Sequence, residues 1–298
     1  VGLHLTERTE RRGRPLRRSV AAMGGLLSIP LLTSCSEETT EQLKGLGLPN
    51  GPDGAATSAP PMYDLWIGAW IAAFAVGILM WGLIFYSVVR YRRRGAEPPV
   101  QVRYNLPIEA LYTIAPFVVI FVLFYHTVLT QDEMLAEGED FDHEVLVVGQ
   151  QWSWTFNYLG DDGEDSAPGG NDVFEVGTVA DPPRLVLPVD EPVKFTLVSP
   201  DVIHSFWIPA FYFKMDVVPG HPNTWITTPT VTGSYPGRCA ELCGISHSRM
   251  LFQADVVERP EYEEYLAELE AQGNTGVAKG LVDTPIAGLE TAEEGAEQ

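Results

Sequence analysis

Residues 236–250 read Pro236-Gly237-Arg238-Cys239-Ala240-Glu241-Leu242-Cys243-Gly244-Ile245-Ser246-His247-Ser248-Arg249-Met250. Positions 239, 243, 247 and 250 fall on one face of an α-helix, so a buried helical stripe is one reading. Pro236, Gly237 and Gly244 interrupt it, and segments rich in Val, Phe, Trp and Thr lie on both sides, which favours a loop between strands. Under the loop reading, 144–158, 184–189, 193–199, 224–228 and 251–258 become strands of one all-β domain, expected to be a sandwich. Residues 185–188 and 193–197 flank Asp190-Glu191-Pro192 and are expected to pair as a hairpin. The acidic, Gly-rich stretch 160–172 reads as an exposed loop, residues 261–271 as a short surface helix, and the end of the chain as disordered.

The same run carries chemistry. Cys239, Cys243, His247 and Met250, with His204 upstream, offer thiolate, imidazole and thioether. Such soft ligands favour copper over magnesium or calcium. A mononuclear blue-copper site uses two His, one Cys and a weak Met, and this sequence has one Cys more. Two thiolates can bridge two copper ions, each completed by one His, and sharing an electron between them reduces the rearrangement per transfer. A tetrahedral zinc site of two Cys and two His remains open, with Met250 surplus to it. So does the metal-free stripe.

Moving toward the N-terminus, residues 65–89 and 110–131 carry no formal charge, counting His126 as neutral. The first run gives about 37 Å of helix, enough to span a bilayer. Pro116 in the second is tolerable where a neighbouring helix satisfies the freed carbonyl. The connector holds Arg90, Arg92, Arg93, Arg94 and Arg103, whereas Asp132, Glu133, Glu137, Glu139 and Asp140 follow the second run. Positive residues stay inside, so the connector is expected in the cytoplasm and both termini outside. Residues 36–62, rich in Gly, Pro, Ser, Thr and Glu, read as a flexible tether. Ahead of it, six arginines within 1–18, an apolar run 20–32 and Leu32-Thr33-Ser34-Cys35 form a secretory pattern ending in a lipobox-like site. Cys35 is the expected lipidation site, an incidental Cys after a plain signal being the alternative.

Beyond residue 18 the chain carries 13 basic and 38 acidic side chains. Such a surface repels nucleic acid and attracts basic partners. The expected organisation is a signal peptide with lipobox (1–35), linker (36–62), transmembrane hairpin (63–132), β-domain (141–258) and acidic tail (259–298).

With these residues in hand, the sequence resembles cytochrome c oxidase subunit II, in the lipoprotein form found with actinobacterial aa3-type oxidases. Val202-Ile203-His204-Ser205-Phe206 resembles the family's first copper-ligand strand, and residues 238–250 its copper loop. Gly149-Gln150-Gln151-Trp152-Ser153-Trp154 and Phe213-Lys214-Met215-Asp216 match two further family segments. The likeness runs from about residue 63 to 258.

The resemblance implies a cupredoxin-like β-sandwich behind a two-helix membrane anchor, and a dinuclear copper A centre. Cys239 and Cys243 would bridge the two coppers, His204 and His247 would hold one each, and Met250 with the Glu241 carbonyl would be weak outer ligands. The Glu241 carboxylate would face a magnesium ion shared with subunit I. Trp152 would receive the donor's electron, and Glu109 would stand at the mouth of a proton-uptake path. Position alone favours an ordinary helix-end carboxylate for Glu109, and the alternative for Trp152 is a core aromatic. Implied partners are subunits I and III, a cytochrome c donor and a cytochrome bc complex in a supercomplex, at the plasma membrane. The implied activity is electron transfer supporting oxygen reduction to water with proton pumping. Gln150, Ser153 and Phe206 depart from the His, Tyr and Trp usual in the family. A quinol oxidase subunit would lack the two thiols, a nitric oxide reductase subunit could keep the loop, and a lipoprotein with structural zinc would carry no electrons.

Overall fold

A computed structural model describes residues 47–96, 98, 101–135, 140–160 and 172–279. The signal segment with Cys35, most of the acidic stretch 160–172 and the end of the chain lie outside the described residues.

Among the described residues, two helices long and apolar enough to cross a membrane precede the β-domain, α1 (Ala59–Arg90) and α2 (Leu106–Met134). Prolines in the first turn start each of them, where no intrahelical N–H is lost. Asn105 caps α2, and the Glu109 carboxylate accepts from the Asn105 backbone N–H at 2.8 Å. That closes a reciprocal cap like the one Glu makes in a capping box.

α1 begins earlier than the apolar run suggested, and part of the expected tether is docked. The Ala55 N–H donates to Ala210 O at 2.9 Å, Thr230 N–H donates to Ala55 O at 3.0 Å, and Ser58 Oγ donates to Phe211 O at 2.6 Å. Ala55 and Ala56 are fully buried. Small side chains let this strap lie flush against the β-domain, which its composition alone did not reveal.

Among the described residues, ten strands form two five-stranded sheets. One runs β3 (Val173–Val176), β2 (Ser153–Leu159), β1 (His143–Gln150), β5 (Val193–Val198), β8 (Asn223–Thr227). The other runs β4 (Arg184–Pro188), β10 (Leu251–Val257), β9 (Gly233–Cys239), β6 (His204–Ile208), β7 (Phe213–Val217). Trp154, Phe156, Phe195, Phe206 and Phe252 fill the space between them. Phe206 and Phe252 stack at 5.0 Å, a pairing that contributes about 1 kcal/mol beyond its buried area.

Two expectations are corrected. Residues 144–158 form a hairpin of two strands, turning at Gln151-Trp152. Residues 185–188 and 193–197 do not pair: β4 joins β10 and β5 joins β1, both parallel, in different sheets. Asp190, at φ 60°, carries the chain across with its N–H on Pro229 O. The short helix expected at 261–271 is present as α3 (Arg259–Ala271), which buries Tyr262, Tyr265, Leu266 and Leu269 against the sandwich.

Strands β3, β7 and β9 were not foreseen, whereas β6 falls on the expected copper-ligand strand. β9 reads Gly-Ser-Tyr-Pro-Gly-Arg-Cys, a loop by composition, yet it is bonded by β10 and β6 on its two sides. Gly237 is required there, since a Cβ would sit 2.1 Å from the Phe252 ring.

Candidate metal centre

The sandwich brings the candidate ligands together at the end of the domain where the β1–β2 turn lies. His204 opens β6 and Cys239 closes the neighbouring β9. The chain then loops through 240–246, makes a 3₁₀ turn over His247–Arg249, and re-enters β10 beyond Met250. Cys239 N–H donates to Met250 O at 3.0 Å, closing the neck, and Ala240 N–H donates to Ser205 O at 2.9 Å. The segment is a loop and no helical stripe exists.

Cys239 Sγ lies 3.8 Å from Cys243 Sγ and 3.9 Å from His204 Nδ1. Cys243 Sγ lies 3.6 Å from His247 Nδ1 and 3.8 Å from Met250 Sδ. The Glu241 carbonyl is 3.2 Å from Cys239 Sγ, while its side chain is exposed. His204, Cys239, Cys243 and Met250 are buried and His247 is half-buried. Ligand atoms of His204, Cys239 and Cys243 all lie within 4.8 Å of one another, and His247 falls outside that trio. The donor set is soft and convergent, as a copper site requires. Burial, and next the neighbouring Cys239, push the Cys243 thiol up to about 12. A cation must therefore displace the thiol proton, and loading releases acid.

Around the ligands lies a layer of holding groups that the sequence reading missed. Asp201 Oδ1 accepts from His204 Nε2 at 2.8 Å and from Val202 N–H at 2.6 Å, and Oδ2 accepts from Gln151 N–H at 2.7 Å. Burial opposes ionisation of Asp201, but His204 and the two N–H groups outweigh it and hold the carboxyl below its usual range. His204 is pulled below the usual histidine range by burial, against the opposing pull of Asp201. A neutral ring donating from Nε2 leaves the Nδ1 lone pair facing the thiols, the arrangement that fixes a metal-binding imidazole. The available signal was a carboxylate three residues ahead of His204 in Ser199-Pro200-Asp201, a turn-forming stretch. Trp154 packs edge-on to His204 at 6.2 Å and donates from Nε1 to Met250 O at 3.5 Å.

Trp152, partly exposed, lies on the loop: its Nε1 donates to Cys243 O at 3.3 Å, and Gln151 Nε2 donates to the same oxygen at 2.7 Å. Gly244, at φ 131°, makes room, since a Cβ there would lie 2.9 Å from Trp152 Nε1. Glu109 is not part of this cluster. It lies in the first turn of α2, whose far end leads into β1.

The family described as cytochrome c oxidase subunit II, periplasmic domain, matches residues 144–257, which include the whole cluster. A probable cytochrome c oxidase subunit 2 of Streptomyces coelicolor is 41% identical over 91% of this chain and 93% of its own length. Cytochrome c oxidase subunit 2 of Mycobacterium tuberculosis is 34% identical over 92% and 88%. Among solved structures, the periplasmic domain of subunit II of cytochrome oxidase from Bradyrhizobium japonicum is 27% identical. It covers 45% of this chain and 97% of its own, at a TM-score of 0.39. With relatives aligned along nearly the full chain and the thiol loop inside the matched domain, this chain belongs to the cytochrome c oxidase subunit II family.

Proposed function

We propose that this chain is the electron-accepting subunit of its oxidase, taking electrons from a cytochrome c at a dinuclear copper A centre. From there electrons pass to the haem of subunit I, where oxygen is reduced to water with proton pumping. Family membership already makes the chain part of a haem–copper oxidase, an oxidoreductase. One observation carries the finer reading: two thiols 3.8 Å apart each have an imidazole of their own, and His247 stands outside the His204 trio. A single tetrahedral zinc ion would need all four ligand atoms within about 3.3–3.8 Å of each other. Two ions bridged by the thiols do not.

His204 and His247 would hold one copper each, with Met250 and the Glu241 carbonyl as weak outer ligands. The exposed Glu241 carboxylate would hold magnesium shared with subunit I. When bound, the copper pair supplies a one-electron carrier with its charge spread over two metals. The protein's part is to keep that carrier rigid. Asp201 fixes the ring of His204, Trp154 backs that ring and holds the Met250 carbonyl, and the strand ladders close the loop neck. Trp152, bonded to the Cys243 carbonyl, would receive the donor's electron.

The remaining assignments complete the picture. The arginine-rich connector lies in the cytoplasm, with the sandwich and both termini outside the plasma membrane and Cys35 lipidated. Subunits I and III, cytochrome c and a cytochrome bc complex are the partners. An unmodified Cys35 by mass spectrometry would remove the lipid anchor. Glu109 serves the proton-uptake path as well as capping α2, so Glu109→Gln slows turnover while copper-to-haem transfer stays intact. Normal turnover would leave it only a cap.

The decisive experiment is metal counting with electron-spin spectra on the full-length chain, copper-supplied in detergent. Two coppers sharing one unpaired electron support the assignment. One copper points to a modified blue-type site, and zinc or no metal in the folded chain removes the redox function.

A further inference from the structure

The turn that carries Trp152 is fastened to the metal loop chiefly by its neighbour. Gln151 Nε2 donates to the Cys243 carbonyl at 2.7 Å, whereas Trp152 Nε1 reaches that oxygen at 3.3 Å. The first distance is at the short end of the hydrogen-bond range and the second is beyond its usual limit. The Gln151 backbone N–H also donates to Asp201 Oδ2 at 2.7 Å, and Asp201 holds His204. One residue thus ties the turn to Cys243 on one side and, through a carboxylate, to His204 on the other. Gly244 leaves the space for this, since a Cβ there would come within 3.1 Å of Gln151 Nε2.

We infer that Gln151 is a positioning residue for electron uptake: it seats the 151–152 turn on the Cys243 carbonyl and so sets the contact between Trp152 and the cluster. This rests on the electron-accepting function proposed above. In that step one electron leaves the reduced cytochrome and one arrives at the cluster, with no bond made or broken. Its rate therefore depends on the distance and contact that the turn maintains. Gln151 is exposed and is not one of the candidate ligands, so its replacement leaves the core and the donor set untouched.

The test uses the assembled oxidase and reduced cytochrome c, with Gln151→Leu, Trp152→Phe, the double variant and Cys243→Ser measured side by side. Gln151→Leu keeps the side-chain bulk but has no N–H. It lowers kcat for cytochrome oxidation by about 3- to 10-fold, the equivalent of one hydrogen bond, with KM and copper content unchanged. Trp152→Phe keeps a ring in place and costs less than about twofold with Gln151 present. Combined with Gln151→Leu it costs more than that, because the two donors share one oxygen. An unchanged kcat in Gln151→Leu overturns the inference. So does a rise in KM alone, which would make Gln151 a docking contact for the cytochrome, or a loss of copper, which would make it structural. If Cys243→Ser still oxidises cytochrome c at the normal rate, the electron-accepting function itself falls. If that variant is inactive and Gln151→Leu is normal, only the positioning role falls.

Discussion

Two buried histidines in this sandwich each hold a carboxylate through Nε2: His204 with Asp201 at 2.8 Å, and His143 with Glu191 at 2.7 Å. Their surroundings separate them. The other ring nitrogen of His204 faces two thiols, and Asp201, its carboxylate, has no Lys or Arg bonded to it among the described residues. His143 packs edge-on against Tyr262, and its carboxylate is also held by Arg259 through two nitrogens, at 2.9 and 2.6 Å. One pair is poised to receive a cation and the other is already neutralised. A histidine–carboxylate pair is thus no sign of a metal site until the second nitrogen and the carboxylate's other partners are known.

Breaking the metal end has the larger effects. Cys239→Ser replaces a soft thiol of the ligand cluster with a hard oxygen and is expected to cut cytochrome c oxidation below about one-hundredth of normal. The membrane helices still assemble with subunit I, and a wild-type rate would refute the ligand assignment. Asp201→Ala leaves His204 Nε2 and two backbone N–H groups without their acceptor. Copper affinity should fall about 10- to 100-fold, as for the loss of other groups that orient a metal-binding His. The matching change at the second pair, Glu191→Ala, should leave copper affinity unchanged in the same competition titration. Equal losses in both would erase the distinction between them. Trp152→Ala removes the ring on the Cys243 carbonyl but none of the candidate ligands, so cytochrome oxidation should slow by about tenfold or more with metal content unchanged. Stopped-flow mixing with reduced cytochrome reads this directly, and an unchanged rate would assign Trp152 to packing.

The two ends were not equally legible in the sequence. Residues 239, 243, 247 and 250 announce themselves because few other functions need thiol, imidazole and thioether so close together. The membrane helices are as plain, since an uncharged run the length of residues 65–89 has few other uses. The holding groups were invisible for a physical reason. Gln151 acts through hydrogen bonds that span 50 residues or more, and although Asp201 holds His204 from three residues away, a single carboxylate or amide in a turn has many ordinary uses. β9 was hidden by its glycines and proline, and for Gly237 the reason is the close approach of Phe252. The clasp on α3 escaped because Arg259 lies 68 residues from Glu191 in sequence. The tether reading failed at Ala55 and Ala56, where small residues served close packing in place of flexibility.

The second histidine's role sets the smallest prediction, and it turns on acid. Burial raises the Glu191 carboxyl, but Arg259 and then His143 overcome this and leave it below the ordinary range. A carboxyl depressed in the folded chain stabilises it fully above the unfolded value, about 4.3, and that contribution fades as pH falls through the folded value. Glu191 is largely covered but Arg259 is half exposed, so solvent screens much of the pair and the effect stays modest. Glu191→Gln should therefore melt about 2 °C lower than wild type at pH 6, and the gap should close below about pH 4. Hydrogen exchange at Tyr262, Tyr265 and Leu266 should quicken in the variant at pH 6, because the clasp anchors the first turns of α3. Copper spectra of the two proteins should coincide at about that pH, since the pair lies apart from the ligands. A melting gap that persists unchanged at about pH 3.5 would mean that the carboxylate charge contributes nothing and that burial of Tyr262, Tyr265, Leu266 and Leu269 holds the helix.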